Sequence, residues 1–214
     1  MNIIVYKNSP YSAAITGCAF LLPEFERILP LMMQPDAEQL LKEEVEHNEI
    51  FQVNNRHARR TFVLEFKRRF DSVPLLFWQD WQNWSETGKR VGLFYAILKT
   101  YKLVFDFHFN VAIKHWNSID HTLTKPDIMM EFNEIAAHDE FVDSWSDSTK
   151  SRCASQYLTI LRQAGLLTEK SNKLQPVRPD NDELAYYFRA GEEWFLEALL
   201  LYPYEINEIK SQVL

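Results

Sequence analysis

Cysteine, glycine and positive charge are all scarce in this 214-residue chain, which has two cysteines, five glycines, and 23 Lys plus Arg against 30 Asp plus Glu, a net charge of −7. Cys18 and Cys153 allow one disulfide at most and no zinc framework, which fits a reducing cytoplasm better than secretion. Five glycines beside nine prolines leave little material for the turns of an all-β sandwich. The acidic balance argues against indiscriminate nucleic-acid binding over the whole surface, although it leaves a local basic patch open. Long hydrophobic runs are missing too. The longest, Ala13 to Leu22, is broken by Thr16 and Gly17 and closed by Pro23-Glu24, far short of the roughly 20 apolar residues that cross a bilayer, so no membrane association is expected. Ile15-Thr16-Gly17-Cys18 has the look of a lipoprotein cleavage box, but Asn8-Ser9-Pro10-Tyr11-Ser12 before it is not an apolar leader.

Signatures of catalysis are also lacking. The chain has no phosphate-cradling glycine loop, no Gly-x-Ser-x-Gly, no His-Glu-x-x-His and no Cys-x-x-Cys. His108, His115 and His121 come nearest to a cluster, but their spacing puts no pair on one helical turn, so each reads as a core-edge or surface histidine. Glu134 and His138, one turn apart, read as part of a solvated acidic face. Trp78, Trp81 and Trp84 could make a stacking platform, but three-residue spacing on a helix fits packing better. The expectation is a chain without enzymatic activity, metal or cofactor.

What is present is helical patterning over a 46% apolar, 14% aromatic composition. Helices are expected over 23–33, 37–50, 54–70, 74–84, 86–101, 104–117, 126–138, 149–164, 180–188 and 192–202, with Pro23, Pro74 and Pro126 suited to first turns. The fold class is therefore all-α, a compact multi-helix globule. The polar stretch 139–148 divides it into an N-terminal helical subdomain, 1–138, and a C-terminal one, 139–214. Phe141 and Trp145 inside that stretch should pack rather than hang in a linker, so the two parts share an interface.

The charges are not evenly spread. Asp36, Glu38, Glu43, Glu44, Glu46 and Glu49 against Lys42 give 36–49 a local charge of −5, whereas Arg56, Arg59, Arg60, Lys67, Arg68 and Arg69 against Glu65 give 54–69 a charge of +5. At about 100° per residue, Ala58, Phe62, Val63, Phe66 and Phe70 form one apolar stripe, and Arg56, Arg60 and Lys67 fall together away from it. Helix, short turn at 51–53 and basic helix is the outline of a helix-turn-helix. Mutual neutralisation of the acidic and basic helices is the competing reading. Exposed ion pairs contribute only about 0–1 kcal/mol each, so stability alone does not demand so dense a cluster of one sign.

A second candidate spans 148–177. Ser148 suits an N-cap and Gly165 a C-terminal stop. Between them, Cys153, Ala154, Tyr157, Leu158, Leu161 and Ala164 form a buried stripe. The opposite face carries Ser151, Arg152, Ser155, Thr159, Arg162 and Gln163, small hydroxyls and long donors that can reach phosphates and base edges. Beyond Gly165 two short extended pieces flank a Lys170-Ser171-Asn172-Lys173 turn, the pattern of a recognition helix followed by a wing. The candidate nucleic-acid contacts are thus Arg56, Arg59, Arg60, Lys67, Arg68, Lys150, Arg152, Ser155, Arg162, Lys170 and Lys173.

Four blocks occur in order: Tyr11-Ser12-Ala13-Ala14-Ile15-Thr16-Gly17 with Leu21-Leu22-Pro23-Glu24; His47-Asn48-Glu49-Ile50-Phe51-Gln52 leading to Asn55-Arg56 and Ala58-Arg59-Arg60; Ile97-Leu98-Lys99-Thr100-Tyr101 followed by Asp106-Phe107; and Trp145-Ser146 with Ser148-Thr149 and Ile160-Leu161-Arg162-Gln163-Ala164-Gly165-Leu166-Leu167. The ordered set resembles the BrxA family of bacteriophage exclusion (BREX) systems, from Tyr11 to Pro176. That resemblance implies a small all-helical protein with helix-turn-helix elements. It also implies a role in antiphage defence beside a methyltransferase and other BREX proteins, and DNA binding without catalysis; with the cysteine usage, the leading expectation is a cytoplasmic protein that binds double-stranded DNA ahead of RNA. A distant similarity of this family to the RNA-binding NusB fold keeps RNA open as the ligand. A protein-interaction adaptor, docking other components through the acidic surfaces 127–147 and 180–208, is the rival expectation.

Overall fold

The structure, a computed structural model, describes residues 9–213, so residues 1–8 and 214 at the outer ends of the two expected subdomains lie outside it. A 3-10 turn (Ala14–Thr16) leads into α1 (Leu22–Met32), α2 (Ala37–His47), α3 (Arg56–Asp71), α4 (Leu75–Trp81) and α5 (Glu86–Thr100). Then α6 (Lys102–Phe107), a π-helical turn (His108–Ala112) and α7 (Ile113–Trp116) run end to end. The remainder is α8 (Lys125–His138), α9 (Glu140–Asp143), α10 (Asp147–Ala164), α11 (Asn181–Arg189), α12 (Trp194–Ala198) and α13 (Pro203–Val213). The all-α expectation holds.

The central element is α5. Every residue from Val91 to Leu98 is buried, so the helix is enclosed rather than amphipathic. Both α3 and α10 pack on it. Gly92 on α5 makes the close approach possible, because a Cβ there would meet the Phe77 ring at 3.1 Å and collide with the Trp81 indole. Trp78 and Trp81 are buried around Phe25, with ring centroids at 4.9 and 5.9 Å, so the tryptophan spacing marks packing, as its three-residue period suggests. One apolar cluster runs from Ile15 to Ile209 through both halves of the chain. The segment between the expected subdomains packs as anticipated. Phe141 and Trp145 lie 5.5 Å apart, and Trp145 reaches Phe132 of α8 at 6.2 Å.

Of the boundaries that differ from the sequence reading, two have a clear cause in the backbone. The helix expected over 192–202 is short and stops at Ala198, because Leu200 turns to φ 60° and Pro203, with no N–H to give, starts a separate helix. The helix expected over 37–50 stops at His47, where Asn48 takes the left-handed conformation at φ 58°.

The expected wing is also corrected, since the described residues contain no sheet. Leu167 and Leu174 make one isolated bridge, with Thr168 N–H donating to Lys173 O at 2.9 Å and Gln175 N–H to Leu166 O at 3.0 Å. Leu166, Leu167 and Leu174 are buried. The turn is pinned onto the 121–123 segment, with Leu123 N–H donating to Asn172 O and Leu174 N–H to His121 O, both at 2.9 Å. Apolar side chains on both arms draw the turn onto the body of the protein instead of letting it project.

Candidate nucleic-acid interface

The basic run on α3 does not reach the surface as one patch. Asn55 caps the helix by accepting from His57 and Ala58 N–H. Arg69 is wholly buried and donates to the carbonyls of Cys18, Ala19 and Phe20 and to Tyr101 Oη. Tyr101 Oη–H in turn donates to the buried Glu65 carboxylate at 2.8 Å, which also holds Arg68 at 2.9 Å. Arg59 is buried as well and donates to Val45 O at 2.8 Å, Val53 O at 2.6 Å and Asn54 O at 3.2 Å. It thereby ties the end of α2 to the connection that follows. Glu44 braces the same connection, accepting from Ile50 and Phe51 N–H. Besides Arg68, exposed but held by Glu65, three cations remain at the surface. Arg56 and Arg60 both meet Glu46, and Lys67 meets Glu38 at 3.3 Å. The acidic and basic helices thus pair across their groove, at exposed sites where each pair contributes little.

The other basic element is built differently. Ser146 caps α10, accepting from Thr149 N–H at 3.2 Å, two residues before the cap expected at Ser148. Gly165 ends the helix at φ 88°, as expected. Cys153, Ala154, Tyr157, Leu158, Leu161 and Ala164 are buried, which turns Arg152, Ser155 and Gln163 outward. Ser155 Oγ donates back to Ser151 O at 3.0 Å and Thr159 Oγ1 to Ser155 O at 3.1 Å. Their lone pairs stay available at the surface. Lys150 reaches only Asp143 O, at 3.3 Å, while Arg152, Lys170 and Lys173 have no ion-pair partner among the described residues. Arg162 is held by Asn172 Oδ1 at 2.7 Å and lies 3.9 Å from Glu169, which brings the Lys170–Lys173 turn against the end of α10. One cation escaped the sequence reading, Lys125 at the start of α8, whose Nζ donates to Ser151 Oγ at 2.6 Å. Only folding puts it beside α10. Ahead of α10, α9 is separated from α8 by Asp139 alone and from α10 by Ser144 to Ser146.

Among the described residues no group of three His, Cys, Asp or Glu is placed to hold a metal, and no helix is long and apolar enough to cross a membrane. His108 is buried in the core; Nε2–H donates to Ala198 O at 2.8 Å, so Nδ1 accepts from Tyr157 Oη at 3.0 Å. Burial pushes its pKa down to about 4.

Comparison with known proteins places these features. The family model BrxA matches residues 9–189. The chain belongs to the BrxA family. It is 24% identical over 196 residues to the BREX protein BrxA of Bacillus cereus (strain H3081.97), covering 91% of this chain and 98% of that protein. The fold is similar to that of a crystal structure of an uncharacterized protein from Magnetospirillum magneticum, with a TM-score of 0.77, 21% identity, and coverage of 89% of this chain and 98% of that one. The family match runs through α10 and the Lys170–Lys173 turn and on into α11. As a BrxA-family member, the chain is a component of a BREX antiphage system.

Proposed function

We propose that this BrxA-family protein is a non-catalytic, cytoplasmic accessory factor of its BREX system that binds duplex DNA and works with other BREX proteins. The DNA contact is made by the exposed face of α10 with its flanking lysines. The observation that carries the proposal is the contrast between the two basic elements. On α3 the exposed cations already face carboxylates, whereas Arg152, Lys170 and Lys173 face solvent without ion-pair partners among the described residues, next to small hydroxyls. In this reading α9 and α10 act as the two helices of a helix-turn-helix, with α10 along the major groove and Ser155 and Arg162 close to base edges. Lys125, Lys150, Arg152, Lys170 and Lys173 take phosphates. The α3 cations Arg56, Arg60 and Lys67 are a secondary contact, available only when their carboxylate partners release them.

The test is a titration of random duplex DNA at several salt concentrations. With about five phosphates neutralised, log affinity falls against log salt with a slope of about −4 to −5, and Arg152→Ala lowers the slope by about 1. Binding that is undetectable at low salt, or indifferent to salt, overturns the proposal. Duplex RNA in the same titration tests the alternative ligand, because a deep, narrow A-form major groove does not admit α10.

One observation favours a protein partner as a second reading. Leu41, Val45, Val63 and Leu64 floor a groove of about 540 Å³ between α2 and α3, rimmed by Glu38, Glu46, Arg60 and Lys67. An adaptor docked there retains its partners when Arg152 is replaced.

A further inference from the structure

A pocket of about 320 Å³ lies where α7 meets the start of α13. Backbone conformation opens it. Leu199 and Leu200 are wholly buried behind α12, and the left-handed turn at Leu200 lets α13 set off from Pro203 on its own course instead of prolonging α12. Trp116 and Leu201 are buried at the base, and Ile113, Pro203 and Ile206 form the walls. Base and walls are thus apolar. The polar lining groups, Asn117, Glu197 and Asn207, are all exposed and form the rim.

The acids around this rim are not alike. Glu205 accepts from Tyr202 N–H at 2.8 Å and meets Arg178 at 2.5 Å, Glu193 meets Lys210 at 3.5 Å, and Asp120 accepts from Thr122 N–H at 3.0 Å. Glu197 has no ion-pair partner among the described residues. Lys114, exposed on α7, sits about 100° around the helix from Ile113 and about 160° from Trp116, so it points to another face. The Glu197 carboxylate is therefore left unmatched at the edge of an apolar pocket.

Exposed apolar surface surrounds the pocket. Tyr202 and Tyr204, on either side of Pro203, are 39% and 66% exposed, with ring centroids 5.8 Å apart and planes 9° apart. Ile119 is fully exposed on a turn that leaves Trp116 and comes back to it through His121, whose ring lies 4.4 Å from the indole. One such side chain alone is ordinary. Three of them beside an apolar pocket with an unmatched charge at its rim have the anatomy of a protein-docking site: an anchor desolvated at the centre, rings around it, and a polar rim that selects the partner. Nucleic acid is the wrong occupant, because Glu197 repels phosphate.

We propose that this pocket docks another protein of the BREX system, through a segment that seats one aliphatic side chain against Trp116 and Leu201 and sets an adjacent arginine or lysine on Glu197. The apolar base accepts the anchor, and the unmatched carboxylate selects the cation beside it. Asn117 and Asn207 offer amide groups to the backbone of the same segment. The inference is independent of the duplex reading of α10 and of the groove between α2 and α3, since none of its residues belongs to either.

The test uses the full chain, tagged and co-expressed with the other proteins of its BREX system, with nuclease added so that DNA cannot bridge them. Wild type retains at least one of these proteins, and Glu197→Arg weakens that complex by about ten-fold or more, because it sets like charges face to face. Tyr204→Ala weakens it about five-fold, the loss of one ring at the edge of the anchor. Glu134→Arg, an equal change of charge on α8, leaves the complex intact, and so does Arg152→Ala. Circular dichroism and Tm of the Glu197 and Tyr204 variants match wild type, because both side chains are exposed. A photocrosslinking residue in place of Asn207 joins to a partner segment in which an aliphatic residue stands next to Arg or Lys. A wild-type chain that retains no BREX protein, a complex indifferent to Glu197→Arg, one as sensitive to Glu134→Arg as to Glu197→Arg, or a crosslink to an acidic segment overturns the inference. Failure of duplex binding, with the complex and its dependence on Glu197 intact, overturns the α10 reading and leaves this one standing.

Discussion

Arg59 and Arg152 show how differently two arginines of a basic segment behave. Arg59 donates to three backbone carbonyls from a buried position, while Arg152 touches no carboxylate among the described residues and faces solvent. Arg59→Ala leaves those buried carbonyls short of donors and should lower stability by about 2–3 kcal/mol, read as a fall in urea midpoint, with no change in the salt slope of DNA binding beyond that of the folded fraction. Arg152→Ala should do the reverse. Arg69 is the stronger case of the first kind. Replacing it by Ala leaves three core carbonyls and Tyr101 Oη without their donor and opens a cavity where the guanidinium lay, at a cost of about 3–5 kcal/mol. A single carboxylate also joins the start of α5 to the C-terminal helices. Glu183 accepts from Ser85 N–H and Oγ–H and from its own N-cap, Asp180, and a Cβ at Gly88 would collide with it. Gly88→Ala should therefore destabilise by about 1–3 kcal/mol although Ala is the better helix former, and thermal unfolding checks the sign.

At the scale of elements, the most consequential join is the π-helical turn between α6 and α7. It places His108 where one ring bonds both α10, through Tyr157, and the end of α12, through Ala198 O. Burial holds the folded pKa near 4, against 6.5 for the unfolded group. The folded state binds the proton less well, so the contribution of His108 is complete above about pH 6.5 and is lost as pH falls towards 4, by about 1.4 kcal/mol per unit. His108→Gln should flatten the loss of Tm with pH in that window relative to wild type. An unchanged slope would show that other groups govern it. Helix patterning was legible in the sequence for nearly every long element, because stripes such as Cys153, Tyr157, Leu161 and Ala164 repeat at the helical period. What local pattern missed was decided by backbone conformation and long-range burial. Left-handed Asn48 and Leu200 cut helices short, the leucines of 166–174 pinned the expected wing, and the helix from Pro203 to Val213 lay beyond the last one the pattern indicated.

Across the whole molecule, a net charge of −7 proves to be a poor guide to its surface. The sequence shows +5 over 54–69, yet two of those cations are buried and three of the others are matched by Glu38 and Glu46 from α2. In the weaker run, Lys150 to Lys173, Arg162 meets Glu169, while Lys150, Arg152, Lys170 and Lys173 have no ion-pair partner among the described residues. Counting charges along a chain cannot separate these cases, since pairing depends on which helices become neighbours. The pairing itself is testable. Glu38→Gln with Glu46→Gln frees Arg56, Arg60 and Lys67 and should steepen the salt slope of DNA binding by about 2–3, whereas Glu134→Gln with Glu140→Gln, of equal charge change, should leave it nearly unaltered. The central claim, that α10 rather than α3 carries the duplex, is met most directly by measuring that salt slope for two variants beside wild type. Arg152→Ala with Lys170→Ala should reduce its magnitude by about 2, and Arg56→Ala with Arg60→Ala and Lys67→Ala should change it by less than about 1. The opposite ordering, or a slope that neither variant moves, would contradict the account.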